Sequence, residues 1–130
     1  MIPVAEQRTP LVLVVEDDDL LRLTSSLELA ANGFRTVEAR TADEAVAILE
    51  EYGNIDAIFT DISMPGSMNG LALAHHVRSK QPETYVLITS GNMLSAEQPI
   101  PDRSDFVPKP YALPRIAAMI RAQLGDGYRA

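Results

Sequence analysis

The sequence has no cysteine. That absence excludes a disulfide framework, a thiolate metal centre and thiol nucleophilic chemistry, and it suits a reducing compartment. Basic charge is also scarce: Lys and Arg total 11 against 18 Asp and Glu, giving a net charge of -7 and a pI near 4.7. With the nine Arg and two Lys scattered, no basic face is available to neutralise phosphates, so nucleic acid is not an expected partner. Long apolar runs are missing as well. The opening MIPVAEQRTP places Glu6 and Arg8 where a signal peptide needs an unbroken apolar core, and no later run could span a bilayer. A soluble, cytoplasmic protein without membrane contact is expected.

What is present suits one domain with a sizeable core: 130 residues, 46% hydrophobic and 22% charged. The expected division is a short flexible arm over 1–10, a domain over 11–124 and a tail over 125–130. Short apolar runs alternate with helical patterns. LVLVV (11–15), RTVEA (35–39), DAIFT (56–60), YVLIT (85–89) and DFV (105–107) read as strands; 19–32, 42–52, 69–80 and 112–124 read as helices. In the first helix Leu20, Leu23, Leu27 and Ala30 form the stripe expected to face the core, with Gly33 just past its end. Thr41 with Glu44 suggests a capping box, and Asn69 a cap for the third helix. The interval GNMLSAEQPIPDRS carries Pro99 and Pro101, so its helix, fourth in order, should be short or irregular and stop by about Gln98. This alternation predicts an α/β protein of the flavodoxin-like doubly wound class: a five-stranded parallel sheet, order 2-1-3-4-5, with helices on both faces.

In such a sheet the binding crevice lies at the carboxyl ends of the strands, between strands one and three. Strand one ends in Glu16, Asp17, Asp18 and Asp19; strand three in Asp61; strand four in Thr89; and strand five runs to Lys109. Asp18 and Asp19 suit a helix cap. Glu16, Asp17 and Asp61 converging in one crevice would raise one another's pKa unless a cation joined them, and oxygen-only ligands suit Mg²⁺, which commonly shares its shell with a phosphate. Thr89 adds a hydroxyl and Lys109 a point charge suited to a phosphoryl group. Asp61, alone on its strand, is the expected acceptor, since carboxylates form aspartyl phosphates in covalent catalysis.

The pieces VVEDD, FTDISMPG, NG at 69–70, LITSG and FVPKPY, in this order, resemble the receiver domain of two-component response regulators, here of stand-alone type, over about Leu11 to Leu124. The resemblance implies an acid pair at Glu16 and Asp17, phosphorylation at Asp61, a metal-ligating backbone carbonyl at Ser63, phosphoryl contacts from Thr89 and Lys109, and a cis peptide before Pro110. It implies a phosphoryl donor that is a sensor histidine kinase or a histidine phosphotransfer protein, an unidentified downstream target, and a phosphoacceptor with slow self-dephosphorylation rather than an enzyme. It further implies that phosphorylation draws Thr89 inward and that Phe106 packs into the space left behind, shifting the surface around the fourth helix, strand five and the last helix. Phe106 reads equally as core filler and stands where the family usually has Tyr. Against the family's commonest form the loop ISMPGSMN is one residue longer. A rival reading takes Asp17 and Asp19 as the DxD of a haloacid-dehalogenase-type phosphohydrolase, but the chain is short for that and no acidic pair follows Lys109. A monomer or weak dimer is expected, acting in trans or as a piece of something larger.

Overall fold

The computed structural model describes residues 9–91 and 99–125. Its strands are β1 (Leu11–Val15), β2 (Arg35–Ala39), β3 (Ala57–Asp61), β4 (Tyr85–Ser90) and β5 (Ser104–Pro108), and its helices are α1 (Asp19–Ala31), α2 (Ala42–Tyr52), α3 (Gly70–Lys80) and α4 (Leu113–Leu124). All strand pairings are parallel, in the order β2-β1-β3-β4-β5. The predicted short helix within 92–98 lies outside the described residues. Among the described residues no helix is long and apolar enough to cross a membrane.

The central strands are apolar at nearly every position because both faces are covered. Leu11, Leu13 and Val15 of β1, Ile58 of β3 and Val86 and Ile88 of β4 pack on one side with Ala45 and Leu49 of α2 and Leu73 and Val77 of α3. Val12, Val14, Phe59, Tyr85 and Leu87 alternate with them onto the other side, against Leu29 of α1 and Ile116 and Ile120 of α4. The first three helices start at capping side chains: Asp18, Thr41 and Asn69 accept from Leu21, Glu44 and Ala72 backbone N–H groups respectively, whereas α4 starts at Ala112 with Pro114 in its first turn and no side-chain cap. Glu44 reaches back to the Arg40 N–H at 3.0 Å, one residue ahead of the cap itself. Thr9 and Pro10, the end of the expected arm, are held against β2, where Pro10 O accepts from Arg35 N at 2.9 Å and Thr9 O from the Arg35 guanidinium at 3.1 Å.

The expected orientation of α1 is reversed. Leu20, Leu23 and Leu27 are 70%, 48% and 60% exposed, and Ala30 is exposed too, while Ser25, Ser26 and Leu29 are buried. The physical reason lies in available space: the helix sits close against the sheet and α4, and two serines with a single leucine fill that side, so the longer leucine stripe points to water.

Candidate functional site

The carboxyl edge of the sheet collects the strand ends. After β1 the chain stays in register for one more residue, since Glu16 N donates to Ala39 O at 3.0 Å, and this buries the Glu16 side chain to 6% exposure. The acids behind it are neutralised individually. Asp18 caps α1; Asp19 accepts from Arg22 at 2.7 Å and from Arg40 at 2.8 Å. Arg22 also donates to Glu38 at 3.1 Å and to the Glu16 carbonyl at 3.0 Å, so one guanidinium ties α1, β2 and the end of β1 together.

Asp61 ends β3 beside Thr89, its register partner on β4, and Ile62 N donates to Thr89 O at 2.8 Å. Its Oδ1 accepts from Ser63 N at 3.1 Å and its Oδ2 from Lys109 Nζ at 2.7 Å. Lys109 follows β5, its own N–H donating to Ser90 O at 3.0 Å, and the Lys109–Pro110 peptide is cis. The first residue of α3 presses on the backbone of the acceptor strand. A Cβ at Gly70 would lie 2.2 Å from Asp61 O and 2.8 Å from Ile62 Cα, while Gly70 N donates to Ile62 O at 2.9 Å. Only glycine fits there.

The edge is electrostatically loaded. Glu16 is pushed up to about 7, first by burial and then by its hydrogen bond with Asp17; the Asp18 N–H pulls the other way, and the charges of Asp61 and Lys109 add smaller, opposed contributions. Burial works against the charge of Lys109, but the hydrogen bond and charge of Asp61, with Glu16 behind, outweigh it and raise its pKa. The Thr89 hydroxyl is buried and has no hydrogen-bond partner among the described residues. A buried hydroxyl left unbonded costs on the order of 1–3 kcal/mol.

The predicted residues are thus gathered unequally. Glu16, Asp61, Lys109 and Thr89 share the crevice. Asp17 bonds Glu16 but its side chain is exposed, and among the described residues no three His, Cys, Asp or Glu side chains are drawn together closely enough to hold a metal ion. Lys109 engages one Asp61 oxygen. At Ser63 the group that meets Asp61 is the N–H. Phe106 packs half-buried against the core on the α2 and α3 side, with Ile88 as its register partner. His75 and His76 lie on α3, away from this edge.

Two residues without an assigned role belong to the crevice. Gly70 sets how closely α3 approaches Asp61. Tyr111 meets Phe59 edge-on, 5.6 Å between ring centroids at 79°. Burial raises its hydroxyl pKa, and that hydroxyl is bonded to Ser25 of α1 and lies within reach of the charges of Lys109, Glu16 and Asp61. Its only sequence signal is an aromatic directly after the Lys-Pro pair.

The response regulator receiver domain family matches residues 12–121. Among curated proteins, the sensor kinase CckA of Brucella abortus is 31% identical over 117 residues, 87% of this chain and 12% of that protein. The transcriptional regulatory protein AfsQ1 of Streptomyces coelicolor is 29% identical over 92% of this chain and 53% of its own length. The chain therefore spans between an eighth and about half of these relatives. Among solved structures, the receiver domain of the hybrid histidine kinase CckA superposes with a TM-score of 0.75 at 31% identity, covering 88% of this chain and 98% of that one. A response regulator receiver protein from Sinorhizobium medicae does so with a TM-score of 0.83 at 23% identity, covering 92% and 98%. The regulator TrrA of Thermotoga maritima, described as a complex with Mg(2+)-BeF, gives 0.79 at 22% identity, covering 88% and 99%.

Proposed function

The chain belongs to the response regulator receiver domain family, and from that membership we propose that Asp61 accepts a phosphoryl group from a phosphohistidine on a sensor histidine kinase or a histidine phosphotransfer protein. The observation that carries the reading is the juxtaposition of Asp61, held by Lys109 at 2.7 Å, with a buried Thr89 hydroxyl on the neighbouring strand that has no hydrogen-bond partner among the described residues. An Asp61 carboxylate oxygen attacks phosphorus, the phosphorus–nitrogen bond breaks, and the imidazole leaves with the electron pair, neutral once its ring carries one proton. The product is an aspartyl phosphate.

The side chains divide the work. Lys109, already charged against Asp61, passes its hydrogen bond to a phosphoryl oxygen as the carboxylate is consumed, and the Thr89 hydroxyl finds in another oxygen the partner it lacks. Ser63 N–H holds Asp61 Oδ1 and fixes which carboxylate oxygen is free to react. Glu16, Asp17 and Asp61, with the Ser63 carbonyl, are the residues that would hold Mg²⁺. The donor set fits, because every donor is a hard oxygen and Glu16, pushed up to about 7, is a carboxylate short of positive charge. The ion supplies neutralisation of the transferring phosphoryl charge.

Thr89 drawn toward the phosphoryl group loosens the packing behind it, and Phe106 responds, changing the surface along β5 and α4 to which a downstream protein binds. On this reading turnover is limited to slow self-dephosphorylation, the protein works in the cytoplasm, and residues 11–124 are the receiver. The test is incubation with Mg²⁺ and a small acyl phosphate, then location of the label by mass spectrometry. One phosphoryl group on Asp61, absent in Asp61→Asn, is expected; label on Asp17, or none on Asp61, overturns the reading.

A further inference from the structure

The segment from Ile62 to Gly70, directly after Asp61, is closed on itself: Gly70 N donates to Ile62 O at 2.9 Å, and at its start Ser63 N holds Asp61 Oδ1 at 3.1 Å. Both ends are therefore fixed. Met64 and Met68 are partly buried and pack against the core on the α2 and α3 side, but Pro65, Gly66 and Ser67 between them are exposed. Held at its flanks alone, such a turn would open locally at little cost and take the Ser63 backbone with it. A second element prevents that. Asp43, in the first turn of α2 and 24 residues back in the chain, takes both donors of Ser67: its Oδ1 accepts from the hydroxyl at 2.8 Å and its Oδ2 from the N–H at 3.3 Å. Gly66 makes room for the carboxylate, since its φ is +105° and a Cβ there would lie 2.9 Å from Asp43 Oδ2. The neighbouring acid is committed elsewhere: Glu44 accepts from the Arg40 N–H at 3.0 Å. Thr41 caps α2 without the Asp43 side chain, so the two bonds to Ser67 serve the loop.

We infer that Asp43 is a positioning residue for phosphoryl transfer: by pinning Ser67 it fixes the turn, and through the turn it sets the Ser63 backbone, whose N–H orients Asp61. The inference rests on the reading of Asp61 as acceptor and of the Ser63 carbonyl as one of the oxygens that would hold Mg²⁺. The N–H and carbonyl of one residue are separated by its φ and ψ alone, so a turn that drifts two residues further along disturbs both. Asp43 itself touches neither the acceptor nor the donor oxygens. Its contribution is preorganisation: the loop is ordered before the ion arrives, and binding need not supply that ordering.

The test follows labelling of Asp61 by a small acyl phosphate over a range of Mg²⁺ concentrations, with Mg²⁺ affinity measured separately by chemical-shift titration without phosphodonor. Asp43→Ala should raise both the Mg²⁺ concentration for half-maximal labelling and the dissociation constant by about fivefold, while the rate at saturating Mg²⁺ falls by less than about twofold. Asp43 and Ser67 are exposed, so thermal unfolding should change little; a loss of folded protein would instead cut labelling equally at every Mg²⁺ concentration. Ser67→Ala keeps the N–H bond and should shift the requirement less, and adding it to Asp43→Ala should change nothing further. Asp43→Asn separates bond from charge: it is neutral but keeps an oxygen for the Ser67 hydroxyl, so its Mg²⁺ requirement should stay near that of the unaltered chain. An Asn variant as impaired as the Ala variant would assign the effect to charge at a distance, and Asp61 labelled with an unchanged Mg²⁺ requirement in Asp43→Ala would leave Asp43 without a role; either result overturns the positioning alone. No label on Asp61 in the unaltered chain overturns the acceptor reading and the positioning with it.

Discussion

At the amino ends of the strands Thr84 donates its hydroxyl to the Ile55 carbonyl at 2.8 Å, Asp56 accepts from Leu11 N at 2.8 Å, and the one Arg78 guanidinium donates to the carbonyls of Gln81, Pro82, Thr84, Asp102 and Arg103 at 2.6–3.2 Å. At the carboxyl ends, some five residues along the same strands, the buried Thr89 hydroxyl has no partner among the described residues, burial and Asp17 hold Glu16 proton-rich, and one lysine serves Asp61. The sheet is common to both edges, so packing does not account for the contrast. One edge is built for stability and the other keeps polar groups under-satisfied, ready for a partner that brings charge of its own.

The largest expected effect comes from the satisfied edge. Arg78→Met keeps the stem of the side chain but strips donors from five carbonyls, and should destabilise the fold by about 3 kcal/mol in urea unfolding. Phosphoryl incorporation per folded molecule should be unchanged. A stability loss below about 0.5 kcal/mol would show that water replaces the guanidinium without cost and would erase the contrast from that side.

Lys109→Gln probes the loaded edge next. It removes the charge that faces Asp61 and, on the proposed mechanism, the phosphoryl oxygens, so labelling from a small acyl phosphate should slow on the order of 100-fold while the fold persists. Thr89→Val goes further in separating the edges. The shape is kept and a buried, unbonded hydroxyl becomes a methyl, so thermal unfolding should report a gain of about 1 kcal/mol even as labelling slows. A loss of stability would mean that the hydroxyl is bonded after all.

Much of the loaded edge was legible because each of its members stands at or beside the end of a strand, and short continuous apolar runs locate strand ends well: Glu16, Asp61, Thr89 and Lys109 come together for that reason. Caps were legible too, since Asp18, Thr41 and Asn69 act on N–H groups three residues along. The facing of α1 was misread because an apolar stripe was equated with the core, whereas the side that fits beside α4 holds Ser25, Ser26 and Leu29. Gly70 and Tyr111 stand in the quoted NG and FVPKPY pieces, but their contacts went unread for a related reason. One is fixed by the approach of a helix to the Asp61 backbone and the other by Phe59 and Ser25, far away in the chain, and neither contact leaves a periodic trace.

The smallest effect expected is a pH dependence, and its sign distinguishes the edges. Glu16 titrates near 7 in the fold against an ordinary 4.5, chiefly because burial and Asp17 disfavour its charge. The folded state therefore holds a proton that the unfolded chain releases above pH 4.5, and the associated stability, full below that pH, is lost as pH rises through about 7. With chelator present, the midpoint of thermal unfolding should drift down from pH 5 to pH 8, and Glu16→Gln, which cannot ionise, should flatten the drift. Millimolar Mg²⁺ should oppose it most at the upper end, where the carboxylate is free of its proton. A drift of the same size in the Gln variant would assign the titration to another group and leave the carboxyl edge no more loaded than the amino edge.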